Sequence, residues 1–202
     1  MKTIKLFALS ALLMLVAVGT SLAQGSATDL VRNTAEKMLS TLEAQRAEVD
    51  RRPQLIYELV GRVVAPHFDF ELITQSTVGR DWRQATPAQR KALVDAFREV
   101  LVRTYATALL KYSGEEIVYQ PAKPGTRDGT VIVPTQVRAP GSSAIPIDYR
   151  LHDRQGSWKV YDVVIDNVSL ISNYRNQFRS IIGRDGIDGL IQELRAKSHS
   201  GS

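Results

Sequence analysis

Cysteine is absent from all 202 residues. That single absence excludes disulfides, thiolate metal sites and cysteine nucleophiles together. Histidine is scarce: His67, His152 and His199 stand far apart and share no metal-ligand spacing. His199 lies in a polar tail, and His152 alternates onto the polar face of a strand, which gives it a surface role. There is no G-x-S-x-G elbow, no glycine-rich phosphate loop and no H-E-x-x-H. The sequence therefore offers no catalytic residue, no metal site and no cofactor motif. Basic residues form no block of the kind a nucleic-acid backbone requires.

Long apolar runs are also lacking, with one exception. Lys2 and Lys5 precede the run from Leu6 to Val18, and Ser21 and Ala23 supply small residues behind it. This is the pattern of a secretory signal peptide over residues 1–23, too short to span a bilayer comfortably. No cysteine follows for lipid attachment, so the mature chain is expected to start near Gln24, exported and soluble. A bacterial periplasm suits a disulfide-free exported domain. Loss of Lys2 and Lys5 takes Lys and Arg from 26 to 24 against 21 acids, so the net charge falls from +5 to a mild +3.

The remaining chain is long enough for one domain with a sizeable core. Its first half has helical periodicity. Val31, Ala35, Met38 and Leu42 recur at helical spacing, and Leu55, Ile56, Leu59, Val60, Val63 and Val64 form a short, very apolar helix ended by Pro66. Asp69 caps another short helix that runs through Thr77, with Gly79 as its left-handed exit. Thr86, Pro87 and Gln89 form a capping box for the longest helix, which should reach about Tyr112.

The period then changes to two. Four strands follow in "EEIVYQ", "GTVIVPTQVRA", "AIPIDYRLHD" and "GSWKVYDVVI", joined by short loops. Pro134 and Pro146 require edges or bulges, because neither can donate to a ladder. Helical spacing returns from Leu170 to Ile182, "GIDGLIQEL" adds a last amphipathic segment, and residues 197–202 read as a disordered tail. The expected fold is α+β: a curved antiparallel four-stranded meander with N- and C-terminal helices on one face. It occupies residues 24–196 as a single domain.

Between Asp69 and Arg90 charges crowd around Trp82. Asp69 as a cap and Glu71 as a first-turn dipole partner explain the carboxylates more economically than an acid/base pair does. Trp82 is expected to pack across the joint between two helices. The apolar surplus is the more informative feature, since helices closing on a curved sheet leave room for an apolar cavity.

Two long stretches carry a resemblance. "HFDFELITQSTVGRDWRQATPAQRKALVDAFREVLVRTYATALLKY" and "GSWKVYDVVIDNVSLISNYRNQFRSIIGRDGIDGLIQEL" resemble the two signature regions of the MlaC family, also called the toluene-tolerance family. The resemblance implies a periplasmic phospholipid carrier, a monomer that holds its cargo by the tails. It also implies shuttling between an outer-membrane lipoprotein–porin complex and an inner-membrane ABC transporter with an MCE-domain ring, which maintains outer-membrane lipid asymmetry. Phospholipid is then cargo, and no cofactor is implied.

On that reading the inward positions expected to meet acyl tails are Val64, Phe68, Leu101, Tyr105, Val133, Val137, Ile147, Tyr149, Val160, Val164 and Phe178. Arg138 and Arg175 are candidates for the head group. The rival readings are a hopanoid-like cargo, a periplasmic adaptor that carries nothing, and a small lipid esterase.

Overall fold

Where the hydrophobic period switches from helical to alternating, the backbone switches with it. The computed structural model describes residues 21–200. The expected signal peptide therefore lies outside the described residues, apart from positions 21–23.

The helical half consists of α1 (Ser21–Ala44), α2 (Arg46–Arg51), α3 (Leu55–Val63), α4 (Phe70–Val78) and α5 (Pro87–Leu110). Short 3₁₀ turns at Ala65–His67 and Gly79–Arg83 flank α4. Thr86 and Gln89 form the reciprocal capping box, with Gln89 N donating to Thr86 Oγ1 at 3.2 Å and Thr86 N to Gln89 Oε1 at 3.0 Å. Asp69 caps α4 by accepting from Leu72 N at 3.0 Å.

The sheet contains β1 (Glu116–Tyr119), β2 (Lys123–Pro124), β3 (Thr130–Arg138), β4 (Ile145–Arg154), β5 (Ser157–Ile165) and β6 (Val168–Ser169). All pair antiparallel in the order β1-β3-β4-β5-β6, with β2 also on β3. The four expected strands are β1, β3, β4 and β5, and two-residue strands are added at the margins. Both prolines are paired in the β3–β4 ladder, and on the opposite flank of each the neighbouring ladder has stopped. Pro134 faces the gap between β1 and β2, its carbonyl accepting from Gln120 N at 3.0 Å. Pro146 lies one residue past the last β4–β5 pair, Ile147 with Ile165, and its carbonyl takes Asp166 N.

One irregularity changes the face of a strand. Leu151 pairs with Val160, whereas Arg150 pairs with Asp162, so Tyr161 is an extra residue on β5. A bulge of this kind reverses the alternation. Past it, Val163 and Ile165 face the helices, and Val164 faces away.

The last helix, α6 (Leu170–Ser200), breaks at Gly186, whose φ of 70° is open to glycine at little cost. The break separates "GIDGLIQEL" as the sequence suggested. The chain beyond it is not a loose tail at 197: α6 continues to Ser200, with Lys197 paired to Glu193 at 3.3 Å and Ser198 buried. Leu190, Ile191 and Leu194 hold this stretch against the core, and their burial offsets its polar composition.

Three apolar cores result. α4, α5 and both parts of α6 enclose the aromatic group Phe97, Tyr174 and Phe178, with ring centroids 4.8–5.8 Å apart. α1, α3 and α5 share Met38, Leu42, Leu59 and Ala106. α1 and the sheet share Val31, Val133, Leu151 and Val160.

Candidate functional site

The three cores meet without closing. Between them lies a cavity of about 360 Å³, walled by Ile73, Leu101 and Leu170 from the first core, Met38, Val60 and Ala106 from the second, and Val31, Val160 and Val163 from the third. α1, α3, α4 and α5 present apolar residues to this space as well as to their neighbours, which is why the apolar surplus exceeds what one core would consume. The volume lies in the range of ligand pockets.

The cavity reaches the surface beside an exposed lining residue. Tyr105 lines it and is 37% exposed. The other large exposed apolar side chains among the described residues, Ile145 and Val168, adjoin the same wall. Ile145 is one step along the face from Ile147, and Val168 pairs with Ile165; both Ile147 and Ile165 line the cavity.

Seven of the expected tail positions border this cavity: Val64, Phe68, Leu101, Tyr105, Ile147, Tyr149 and Val160. Four do not. Val133 is fully buried beneath α1, in the packed row beyond Tyr149. Val137 lies on the correct face, between Ile117 and Ile145, but outside the lining. Val164 is turned away by the bulge. Phe178 is held edge-on by Phe97 and Tyr174 in the helical core.

Both head-group candidates are engaged away from the cavity. Arg175 donates through Nε and Nη2 to the Ser76 carbonyl, at 3.0 and 2.8 Å, and so caps the end of α4. Arg138, at the end of β3, donates to Gln136 Oε1 at 2.9 Å.

Sequence reasoning missed Val163 and Ile165 because of the bulge. It also missed Leu30, Thr34 and Leu39 of α1. These flank the helical stripe at Val31, Ala35 and Met38, and a wider apolar arc on α1 was the available signal.

A few polar groups enter the wall. Burial pushes the Tyr149 phenol up to about 12, with Tyr119 adding to the effect. Burial, then Lys159 and Lys37, hold His67 below its ordinary value of 6.5. Tyr105 is raised by burial and by Tyr174.

The charged stretch from Asp69 to Arg90 forms a frame. Phe68 bridges to Val160, and Asp69 N donates to the Val160 carbonyl at 2.9 Å, tying the cavity wall to the sheet. The buried Asp69 carboxylate accepts from His152 Nε2 and Arg154 Nη1, each at 3.0 Å. His152 is therefore no surface residue: its side chain is 20% exposed and also meets the Tyr161 ring edge-on. Trp82 is buried between α4, α5 and α6, with Arg90 stacked over its ring and donating to its carbonyl. Among the described residues no cluster of three or more His, Asp or Glu could hold a metal, and no helix is long and apolar enough to cross a membrane.

Comparison with known proteins agrees with this architecture. A solved phospholipid-binding protein from Ralstonia solanacearum, in complex with a phospholipid, superposes with a TM-score of 0.79 at 32% identity, covering 87% of this chain and 98% of that one. The toluene tolerance protein Ttg2D of Pseudomonas putida is 29% identical over 162 residues, 79% of this chain and 74% of its own length. The intermembrane phospholipid transport system binding protein MlaC of Haemophilus influenzae is 26% identical over 196 residues, 96% of this chain and 90% of its own. Residues 32–196 match the family described as MlaC protein. With that match running through its helices, sheet and cavity walls, this chain belongs to the MlaC family.

Proposed function

We propose that the protein is a periplasmic phospholipid carrier. The observation that carries the reading is the cavity itself: an apolar space between three cores, open beside Tyr105, in a fold that superposes on a phospholipid-bound relative. The energetics call for such a container. Each buried methylene is worth about 0.8 kcal/mol, so two chains of about sixteen carbons represent on the order of 20–25 kcal/mol of transfer from water. A lipid leaves a membrane only when another apolar space accepts its tails.

The finer role is shuttling between an outer-membrane lipoprotein–porin complex and an inner-membrane MCE-domain ABC transporter. It is supported by family membership, by the signal-like N-terminus and by the transport-system name of the Haemophilus relative. The relatives are named as binding and transport proteins, and the reading requires no covalent step.

The test is native mass spectrometry of the mature protein from a Gram-negative periplasm, followed by organic extraction. The expected result is a bound mass that resolves into intact phospholipids. A hopanoid in the extract would change the cargo, and released fatty acid would point to an esterase. A clean apo mass with no uptake from vesicles would leave an adaptor.

A further inference from the structure

One hydroxyl in the cavity has no hydrogen-bond partner among the described residues. Tyr149 is the residue of β4 whose ring lines the space between Ile147 and the packed row beneath α1. Its phenol makes no hydrogen bond to any described residue, yet among the described residues no fully enclosed side-chain oxygen is left without a partner. Tyr149 is only partly buried and lines the cavity, which leaves the cavity as the open space its side chain borders. Asp162, by contrast, borders the same cavity with its carboxylate fully occupied by Arg150, Ser169 and the Ile171 amide.

A phenol pressed against hydrocarbon loses its hydrogen bond to water and gains nothing in return. Phenylalanine would fill the same space without that cost. The hydroxyl is therefore informative about the cargo, because a ligand that is hydrocarbon throughout its buried part would leave it unsatisfied.

We propose that Tyr149 recognises the cargo by donating its phenolic hydrogen to an acyl ester carbonyl, so that the cavity selects ester-linked lipids. The inference rests on the carrier reading and names the part of the cargo that is read. Tyr149 lies one step along its strand face from Ile147 and two from exposed Ile145, about 7 and 14 Å at the rise of an extended strand. The glycerol–acyl junction thus sits inside the mouth, the tails pass inward toward Leu101 and Val163, and the head group spans the distance to solvent. Recognition at the junction tolerates different head groups, which agrees with Arg138 and Arg175 being engaged elsewhere.

The test offers the full mature protein vesicles containing equal amounts of diacyl and dialkyl phosphatidylethanolamine with matched chains. The dialkyl lipid lacks the carbonyls and keeps everything else. Bound lipid is extracted and the ratio is read by mass spectrometry, for wild type and Tyr149→Phe. The expected result is a wild-type preference of about fivefold for the diacyl lipid, the effect of one neutral hydrogen bond, and equal loading of both lipids in Tyr149→Phe.

Equal loading in the wild type overturns the proposal while leaving the carrier reading intact. A preference that persists unchanged in Tyr149→Phe also overturns it. Loading of neither lipid by the wild type overturns the carrier reading and this inference with it. If Tyr149→Phe fails to fold, the wild-type ratio decides alone.

Discussion

His152 Nε2 lies 3.0 Å from Asp69 Oδ2, and this contact joins the middle of the sheet to the start of a helix. The same carboxylate caps α4, while its own amide holds the free flank of β5. Asp69 therefore fixes Phe68, its neighbour in the chain, as a wall of the cavity. Asp69→Ala removes the cap and leaves His152 and Arg154 without their acceptor. The expected loss is about 2–3 kcal/mol, less than a fully enclosed ion pair would cost because Arg154 is half exposed. Asp69→Asn, which keeps a capping oxygen, should lose less. Urea unfolding of the three proteins checks the order.

The bulge at Tyr161 decides which of two adjacent valines faces inward. Val163 faces the cavity and Val164 faces away, so Val163→Trp should displace cargo and Val164→Trp should not. Leu101→Trp, in the opposite wall, should act like Val163→Trp. Lipid per protein after organic extraction, with circular dichroism to establish folding, is the measurement. Equal occupancy in the two valine variants would place the alternation elsewhere.

The raised Tyr149 phenol makes a prediction at high pH. In the unfolded chain it ionises near 10, whereas the folded protein keeps its proton to about 12. Between those values the unfolded state binds fewer protons, so stability falls as pH rises from 10 to 12 and is complete below 10. The two-unit difference corresponds to about 2–3 kcal/mol. Tyr149→Phe should lack this component, visible as a shallower decline in melting temperature over that window.

His67 titrates on the other side of neutrality. Because its folded value is lowered, the unfolded chain takes up the proton first as pH falls from 6.5. Its contribution is present above 6.5 and is lost as pH falls through the lowered value. Lys159 also donates to the Pro66 carbonyl at 2.7 Å, so Lys159→Gln keeps a donor while removing a charge. The His67 midpoint, followed by its ring proton shifts in NMR, should rise toward 6.5 in that variant and stay below it, since burial is the larger cause.

What the sequence made legible was local. The capping box at Thr86, the cap at Asp69 and the alternation of β3 and β4 depend on neighbours a few residues away, and each stands in the structure as read. What stayed hidden depends on distant partners. The phase of β5 shifts where Asp162 reaches both Arg150 and the first turn of α6, a demand invisible in "WKVYDVVI". Arg175, a head-group candidate in the sequence, is instead taken by the Ser76 carbonyl that α4 places within its reach. The cavity shares its residue types with the cores around it, so composition could announce apolar surface without saying which part of it stayed open.

The gap opposite Pro134 bears on how the protein behaves before it is filled. A row of unpaired backbone groups is a template on which another chain can add a strand, and a container with an apolar interior can least tolerate such templates. Here one flank of the sheet is divided into pieces of four and two residues, and the other ends in a strand of two. Pro134 denies any intruding strand a continuous run. An interrupted edge of this kind disfavours the addition of a strand from a second copy while the cavity is empty.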